Sequence, residues 1–260
     1  MENKIIEIKN LDFSYKDNHV LKNCSFDVTR NSIMVLLGAN GAGKSTLFSC
    51  IMKQLKIGKQ MIKIDSVSLE DISLKNLSFK ISYVPQINTI KDLDCIVRDY
   101  LVEGRTPYLN LFSIPGKKEY LLVEKYASMV GISHLLNKNI QCLSGGELQL
   151  VLITRAVVQE TPIILMDEPM SALDLKNQTK VLRLVKNLKN QGKTIILSSH
   201  NPNHALILNE DVCMLYDGNV INYGKAKECI TQSNLNILYG ESILLKCVDG
   251  DYICIQSLID

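Results

Sequence analysis

The chain has 260 residues, a formal net charge of +2, 46% hydrophobic residues and 22% charged residues. This length suits one large α/β domain or a domain carrying an insert, and the composition is that of an ordinary folded protein. The near-neutral charge leaves no basic footprint for nucleic acid, and no apolar run approaches the ~18 residues of a membrane span. In chain order, Ile5-Ile6-Glu7-Ile8 and Ser25-Phe26-Asp27-Val28 alternate as strands around a turn-rich stretch, Tyr15-Lys16-Asp17-Asn18. Ile33-Met34-Val35-Leu36-Leu37 reads as a buried strand and Leu47 to Met52 as a helix, with Met61 to Ile64 and Ile81 to Val84 as further strands. From about Asp92 to Glu160 the pattern turns helical, broken at Thr106-Pro107 and Ile114-Pro115-Gly116. Strand patterning returns at 163–166, 194–197 and 212–215, with an amphipathic helix through Val181, Leu182, Leu184, Val185 and Leu188. Such alternation predicts an α/β fold with a parallel sheet and right-handed crossovers. The tail predicts a hairpin, 242–247 with 252–255, around Asp249-Gly250.

Met1-Glu2-Asn3-Lys4 opens no secretory segment, and the eight cysteines form no C-x-x-C pair. The expectation is a reduced cytosolic protein in which Cys50 and Cys254 serve as small core hydrophobes.

The strongest chemical signal is Gly38-Ala39-Asn40-Gly41-Ala42-Gly43-Lys44-Ser45-Thr46, which fits G-x-x-x-x-G-K-[ST] between a strand and a helix. In such a loop the glycines let successive backbone N–H groups curl around a polyphosphate, and the helix behind it turns its positive end to the same charge. Lys44 adds a full charge near the β and γ phosphates, and the Ser45 hydroxyl offers a ligand to Mg²⁺. A nucleoside triphosphate is the expected ligand.

A metal-linked acid belongs at the end of a buried strand, and Ile163-Ile164-Leu165-Met166-Asp167-Glu168 supplies it. Asp167 fits a Walker B aspartate that holds Mg²⁺ directly or through water, and Glu168 stands where it could polarise an attacking water. Between the two motifs, Leu143-Ser144-Gly145-Gly146-Glu147-Leu148-Gln149 heads a helix. Ser144 with Glu147 three residues on reads as a capping box, yet two glycines at that start also leave N–H groups able to receive a second phosphate.

With both Walker motifs and L-S-G-G-E-L-Q in this order, the chain resembles the ATP-binding cassette (ABC) family over essentially its whole length. The resemblance implies a P-loop ATPase core with an antiparallel β portion (1–91 and 161–260) and a helical subdomain inserted at 92–160. It also implies roles for residues that are unremarkable alone. Tyr15 matches the aromatic stacked on adenine, and Gln86 matches the Q-loop glutamine touching Mg²⁺ and the attacking water. Asp174 matches the D-loop aspartate and His200 the switch histidine contacting the γ-phosphate. In the family arrangement Ser144, Gly145 and Gly146 of one subunit close over ATP held by the P-loop of another, so two nucleotides are sandwiched in a homodimer. Met170 and Thr154 depart from the family pattern (Thr or Ser, and Ala, are common there) without removing a phosphate or metal contact.

Three local strings, at 102–108, 200–206 and 236–240, resemble ATPase subunits of importers for iron–siderophore, haem and cobalamin. This implies two transmembrane permease subunits above the dimer, an extracytoplasmic substrate-binding protein, and a place on the cytoplasmic face of the plasma membrane. A zinc- or manganese-type importer cassette is the alternative within the family. A soluble ABC ATPase acting on DNA or ribosomes is disfavoured by the near-neutral charge and the lack of a long heptad-bearing insert.

Overall fold

The computed structural model describes residues 3–87, 93–110 and 113–257. Lys4–Tyr15 (β1) and Asn18–Thr29 (β2) pair antiparallel up to a turn of only Lys16 and Asp17. The turn therefore falls inside the stretch that reads as turn-rich, with Tyr15 and Asn18 already in the strands. Register shifts after Ile8, Leu11 and Phe13 absorb Asn10 and Asn23, both at positive φ, and keep Ile6, Ile8, Leu11, Phe26 and Val28 facing inward. Ile33–Leu37 (β3) leads through the glycine loop into Lys44–Ile51 (α1). Ile62–Ile64 (β4) and Val67–Ser68 (β5) extend the first ribbon into a sheet of order β2-β1-β4-β5.

Leu74–Ser78 (α2) precedes Ile81–Val84 (β6). Next come Val97–Val102 (α3), a 3₁₀ turn over Glu103–Tyr108, Lys117–Val130 (α4) and Gly145–Val158 (α5). The 3₁₀ turn falls on the Thr106-Pro107 break, because proline removes an N–H donor that a continuing helix would need. Ile163–Met166 (β7), Leu175–Asn190 (α6), Thr194–Ser199 (β8), Pro202–Leu208 (α7), Asp211–Tyr216 (β9) and Asn219–Lys225 (β10) complete the main layers. Ala226–Cys229 (α8) and Gln232–Tyr239 (α9) then lead to the hairpin Ile243–Val248 (β11) and Asp251–Gln256 (β12), which turns at Asp249-Gly250.

The main sheet has the order β10-β9-β3-β8-β7-β6. Strands β9, β3, β8, β7 and β6 are parallel and β10 closes one edge antiparallel. Period-two alternation decides which layer each side chain joins. Ile33, Val35, Leu37, Ile164, Met166, Ile195 and Leu197 pack with α5, α6 and α7. Met34, Leu36, Ile163, Leu165 and Ile196 pack with α1 and the β1–β2 ribbon. The helices after residue 93 share the first of these cores, since Val97, Leu101, Val123, Val151 and Ile153 lie in one apolar cluster with the sheet. Full burial of side chains such as Val151 and Ile153 is worth about 1.5–3 kcal/mol each.

Chain order and sheet order differ in a way that matters for chemistry. The four strands β3, β8, β7 and β6 lie side by side although long segments separate them in sequence. Met166 pairs with Leu197 and with Val84, and Leu37 pairs with Ser199, so all four end at nearly the same level. In an open parallel sheet the crevice beyond the carboxyl ends of the strands is where ligands bind.

Candidate active site

Each of those four strand ends delivers one part of a single cleft. The loop after β3 turns back through Gly41 and Gly43, and Gly43, at φ 102°, starts α1 in a conformation that side chains rarely adopt. Gly38 is required for a different reason: a Cβ there would lie 2.4 Å from the Leu215 carbonyl oxygen of the neighbouring β9. The cleft, about 410 Å³, is lined by Val20, Asn40, Gly41, Gly43, Lys44, Ser45, Thr46, Gln86 and Glu168. Gln86 arrives from the segment after β6 and Glu168 from the end of β7.

Lys44 is nearly buried, and its Nζ donates to the carbonyls of Gly38 and Ala39, each at 2.9 Å. The same nitrogen lies 3.3 Å from Glu168 Oε1. Two carbonyls and a carboxylate hold the ammonium at the mouth of the glycine loop, which offsets the cost of removing it from water. Glu168 Oε2 lies 3.4 Å from Nδ1 of His200, whose ring is half exposed just beyond β8. A carboxylate between a lysine and an imidazole is placed to act on a group entering the cleft.

Asp167 is buried, and its Oδ1 accepts a hydrogen bond from Ser198 Oγ at 2.6 Å. Ser198 Oγ in turn accepts the Glu168 N–H at 2.8 Å. One hydroxyl at the end of β8 thus orients both acidic residues of β7. Tyr83 OH approaches Asp167 Oδ2 at 3.4 Å; burial and the Asp167 charge together push its phenol well above the ordinary range, so it stays a neutral donor. Glu168 has φ 45°, a left-handed backbone that is costly for a side-chain-bearing residue. Its N–H is held by Ser198, and its carbonyl accepts both the N–H and the hydroxyl of Ser171. The family resemblance pointed to His200; the part played by Ser198 became visible only once β8 lay beside β7.

The remaining sequence candidates lie elsewhere. Tyr15 sits at the tip of the β1–β2 ribbon, nearly half exposed and edge-on to Phe13, five residues from the cleft wall at Val20. Ser144 and Gly145 are exposed and outside the cleft lining. The Ser144 side chain accepts from the Glu147 N–H while Glu147 receives the Ser144 N–H, closing the capping box at the head of α5. Those Ser144 hydrogen bonds, backbone first, and Lys138 hold the Glu147 carboxyl below its usual range. Gly146, half-buried, faces Leu173, with 3.5 Å left for an added Cβ. Asp174 caps α6, accepting the Asn177 N–H at 2.7 Å, and its side chain is exposed. The first residue of the expected insert, Asp92, lies outside the described residues.

A family model described as ABC transporter matches residues 21–171. The chain belongs to the ABC transporter family. It is an ATP-binding ABC ATPase, and the P-loop, Gln86, Asp167 and Glu168 all lie within the matched segment. An ABC transporter ATP-binding protein of Haemophilus influenzae is 35% identical over 239 residues, covering 92% of this chain and 90% of that one. An iron chelatin transport ATP-binding protein of Helicobacter pylori is 32% identical over 237 residues, covering 90% and 92%. Among solved structures, a metal-chelate type ABC transporter in an inward-facing conformation aligns with a TM-score of 0.83 at 28% identity, covering 97% of this chain and 96% of that one. Among the described residues of this ABC ATPase no helix is long and apolar enough to cross a membrane.

Proposed function

We infer that this ABC ATPase energises the import of a metal chelate, such as an iron–siderophore, haem or cobalamin, through a partner permease. One observation carries the mechanistic part: P-loop, Gln86, Asp167, Glu168 and His200 meet at the carboxyl ends of neighbouring strands, while Ser144 and Gly145 are exposed outside that cleft's lining. In this reading ATP lies along the P-loop, with Lys44 and the N–H groups of Asn40 to Thr46 on its phosphates and Tyr15 against the adenine. Ser45, Gln86 and Asp167 are oxygen donors that fit a hard divalent cation, and Mg²⁺ held there would neutralise phosphate charge. Glu168 orients and deprotonates the attacking water, His200 contacts the γ-phosphate, and the bond between the β-bridging oxygen and γ-phosphorus breaks to give ADP and phosphate.

The exposed Ser144 and Gly145 with the half-buried Gly146, and Asp174 of the 170–174 segment that Gly146 faces, then complete the site of a second copy in a head-to-tail homodimer. Charge-assisted hydrogen bonds to a γ-phosphate are worth about 1.5–3 kcal/mol each, so two symmetric sets favour closure with ATP and release it after hydrolysis. A groove of about 500 Å³ by the 3₁₀ turn, lined by Val102, Thr106, Pro107, Leu109 and Pro115 among others, is the place for a permease element. The two permeases would hold the dimer at the cytoplasmic face of the membrane and receive cargo from an extracytoplasmic binding protein. The metal-chelate reading rests on the similarity to the iron chelatin ATPase and to the metal-chelate type transporter. Co-purification of the tagged chain with a multi-span membrane protein, followed by uptake assays with iron chelates in a strain carrying Glu168→Gln, tests it. Undiminished chelate uptake in that strain would refute the assignment.

A further inference from the structure

Behind Glu168 and His200 lies a second, smaller cavity of about 80 Å³, which Met170, Gln178, Ser199 and His204 also line. His204 is 6% exposed, on the first turn of α7, and the mechanism above makes no use of it. Its Nδ1 is 2.9 Å from Ser199 Oγ and its Nε2 is 3.5 Å from Gln178 Oε1. The amide nitrogen of Gln178 donates to two carbonyls, Met170 at 3.3 Å and Leu173 at 3.0 Å. Those two acceptors orient the amide, so its oxygen faces the imidazole. An oxygen there requires the proton on Nε2, which leaves Nδ1 to accept from the Ser199 hydroxyl. Ser199 Oγ also accepts the Asn201 N–H at 3.0 Å. Burial, with a smaller contribution from the neighbouring His200, pushes His204 down to about 4, so the neutral ring this chain of bonds needs is the form present at neutral pH.

The bonds run unbroken from the loop that carries His200 to the carbonyls of the 170–174 segment. That segment has an outward side: Ser171, Ala172 and Asp174 are exposed while Met170 and Leu173 are buried. Without Gln178 the Met170 and Leu173 carbonyls would lose this side-chain donor, leaving the segment's own turn, the Asp174 cap and the burial of Met170 and Leu173 to hold it.

We propose that His204 and Gln178 are positioning residues that clamp the His200 loop to the 170–174 segment through the Ser199–His204–Gln178 chain, so that the two move as one body. The proposal rests on the reading that His200 meets the γ-phosphate. Its consequence is that nucleotide contact inside the cleft is transmitted to an outward surface by side chains that touch neither ATP nor metal.

The test uses the full purified chain with His204→Leu, Gln178→Leu and the double variant, measuring ATP turnover and ATP affinity. Each single change should lower kcat about tenfold while the Kd for ATP stays within about twofold, because the P-loop is untouched. The double variant should be no worse than either single, as for members of one unit. His204→Gln, which keeps both a donor and an acceptor, should recover kcat to within about threefold of the parent. Unchanged kcat in the single variants, or losses that multiply in the double, would overturn the clamp. If the leucine variants fold poorly, ¹⁵N imidazole spectra of the unmodified protein decide instead: a proton on Nε2 of His204 supports the chain of bonds, and one on Nδ1 refutes it. Glu168→Gln run alongside separates the two levels, since wild-type turnover in that variant would condemn the active-site reading and leave the clamp's geometry intact.

Discussion

Two helix N-termini in this protein carry glycines and a small hydroxyl residue, and they meet opposite fates. At α1 the Gly43-Lys44-Ser45 turn is enclosed by β2, β7 and the segment after β6, and its lysine is bound to two carbonyls and faces Glu168. At α5 Ser144 and Gly145 are exposed and Gly146 is half-buried, and the Ser144 side chain is engaged with Glu147 three residues away. Both present backbone N–H groups and a positive dipole end, so local chemistry does not distinguish them. The surroundings do. The first turn lies inside a cleft of its own chain; in the reading proposed above, the second closes over the cleft of another copy.

The comparison can be broken most severely at the cleft. Glu168→Gln removes the base and its charge while keeping the side chain's shape, and steady-state turnover should fall about a thousandfold. Turnover near wild type would move the base elsewhere. Lys44→Ala deletes the charge at the mouth of the enclosed turn, and equilibrium titration with a fluorescent ATP analogue should show affinity about a hundredfold weaker. A loss under threefold would mean the backbone cradle alone suffices. The contrasting change, Ser144→Arg, should leave that affinity within about twofold yet weaken ATP-induced dimerisation at least tenfold, read by light scattering. Equal damage to both quantities would erase the distinction between the two turns.

A finer test concerns what lies behind the cleft. His204 is held neutral by burial, with a folded value of about 4 against an ordinary 6.5. The unfolded chain therefore binds the extra proton first as pH falls, so this residue's contribution to stability is full above pH 6.5 and declines from there towards 4. Its share of the loss between pH 7 and pH 5 should be about 2 kcal/mol. Urea midpoints of the parent and His204→Gln across that range isolate it, and parallel curves would mean that His204 is not buried neutral.

Much of the cleft was legible before any coordinates, because phosphate chemistry demands residue types at close spacing. Gly38 to Thr46 lie in one loop and Asp167 with Glu168 at one strand end, and short-range order is what a sequence preserves. The capping box at Ser144 and Glu147 was readable for the same reason. The strands were legible in position but not in length: β1 and β2 run on to the Lys16–Asp17 turn, inside the stretch that reads as turn-rich, because cross-strand pairing reaches Tyr15 and Asn18. Strand β10 and the helices α7 to α9 escaped notice, being short or weakly periodic and held by tertiary contacts. Ser198 carries no mark in the sequence that sets it apart, and the positive φ of Glu168 has no local signature.

The order of amino acids, on its own, determined the phosphate loop, the acidic strand end and the alternation that makes each strand two-faced, since each depends on neighbours within a few residues. Tertiary structure alone decided that β8 lies between β3 and β7. That placement brings Ser198 under both acidic residues, His200 against Glu168 and His204 onto Gln178. Such contacts join positions about thirty residues apart, and only the packing of a whole sheet, summing many apolar burials, fixes them to within an ångström.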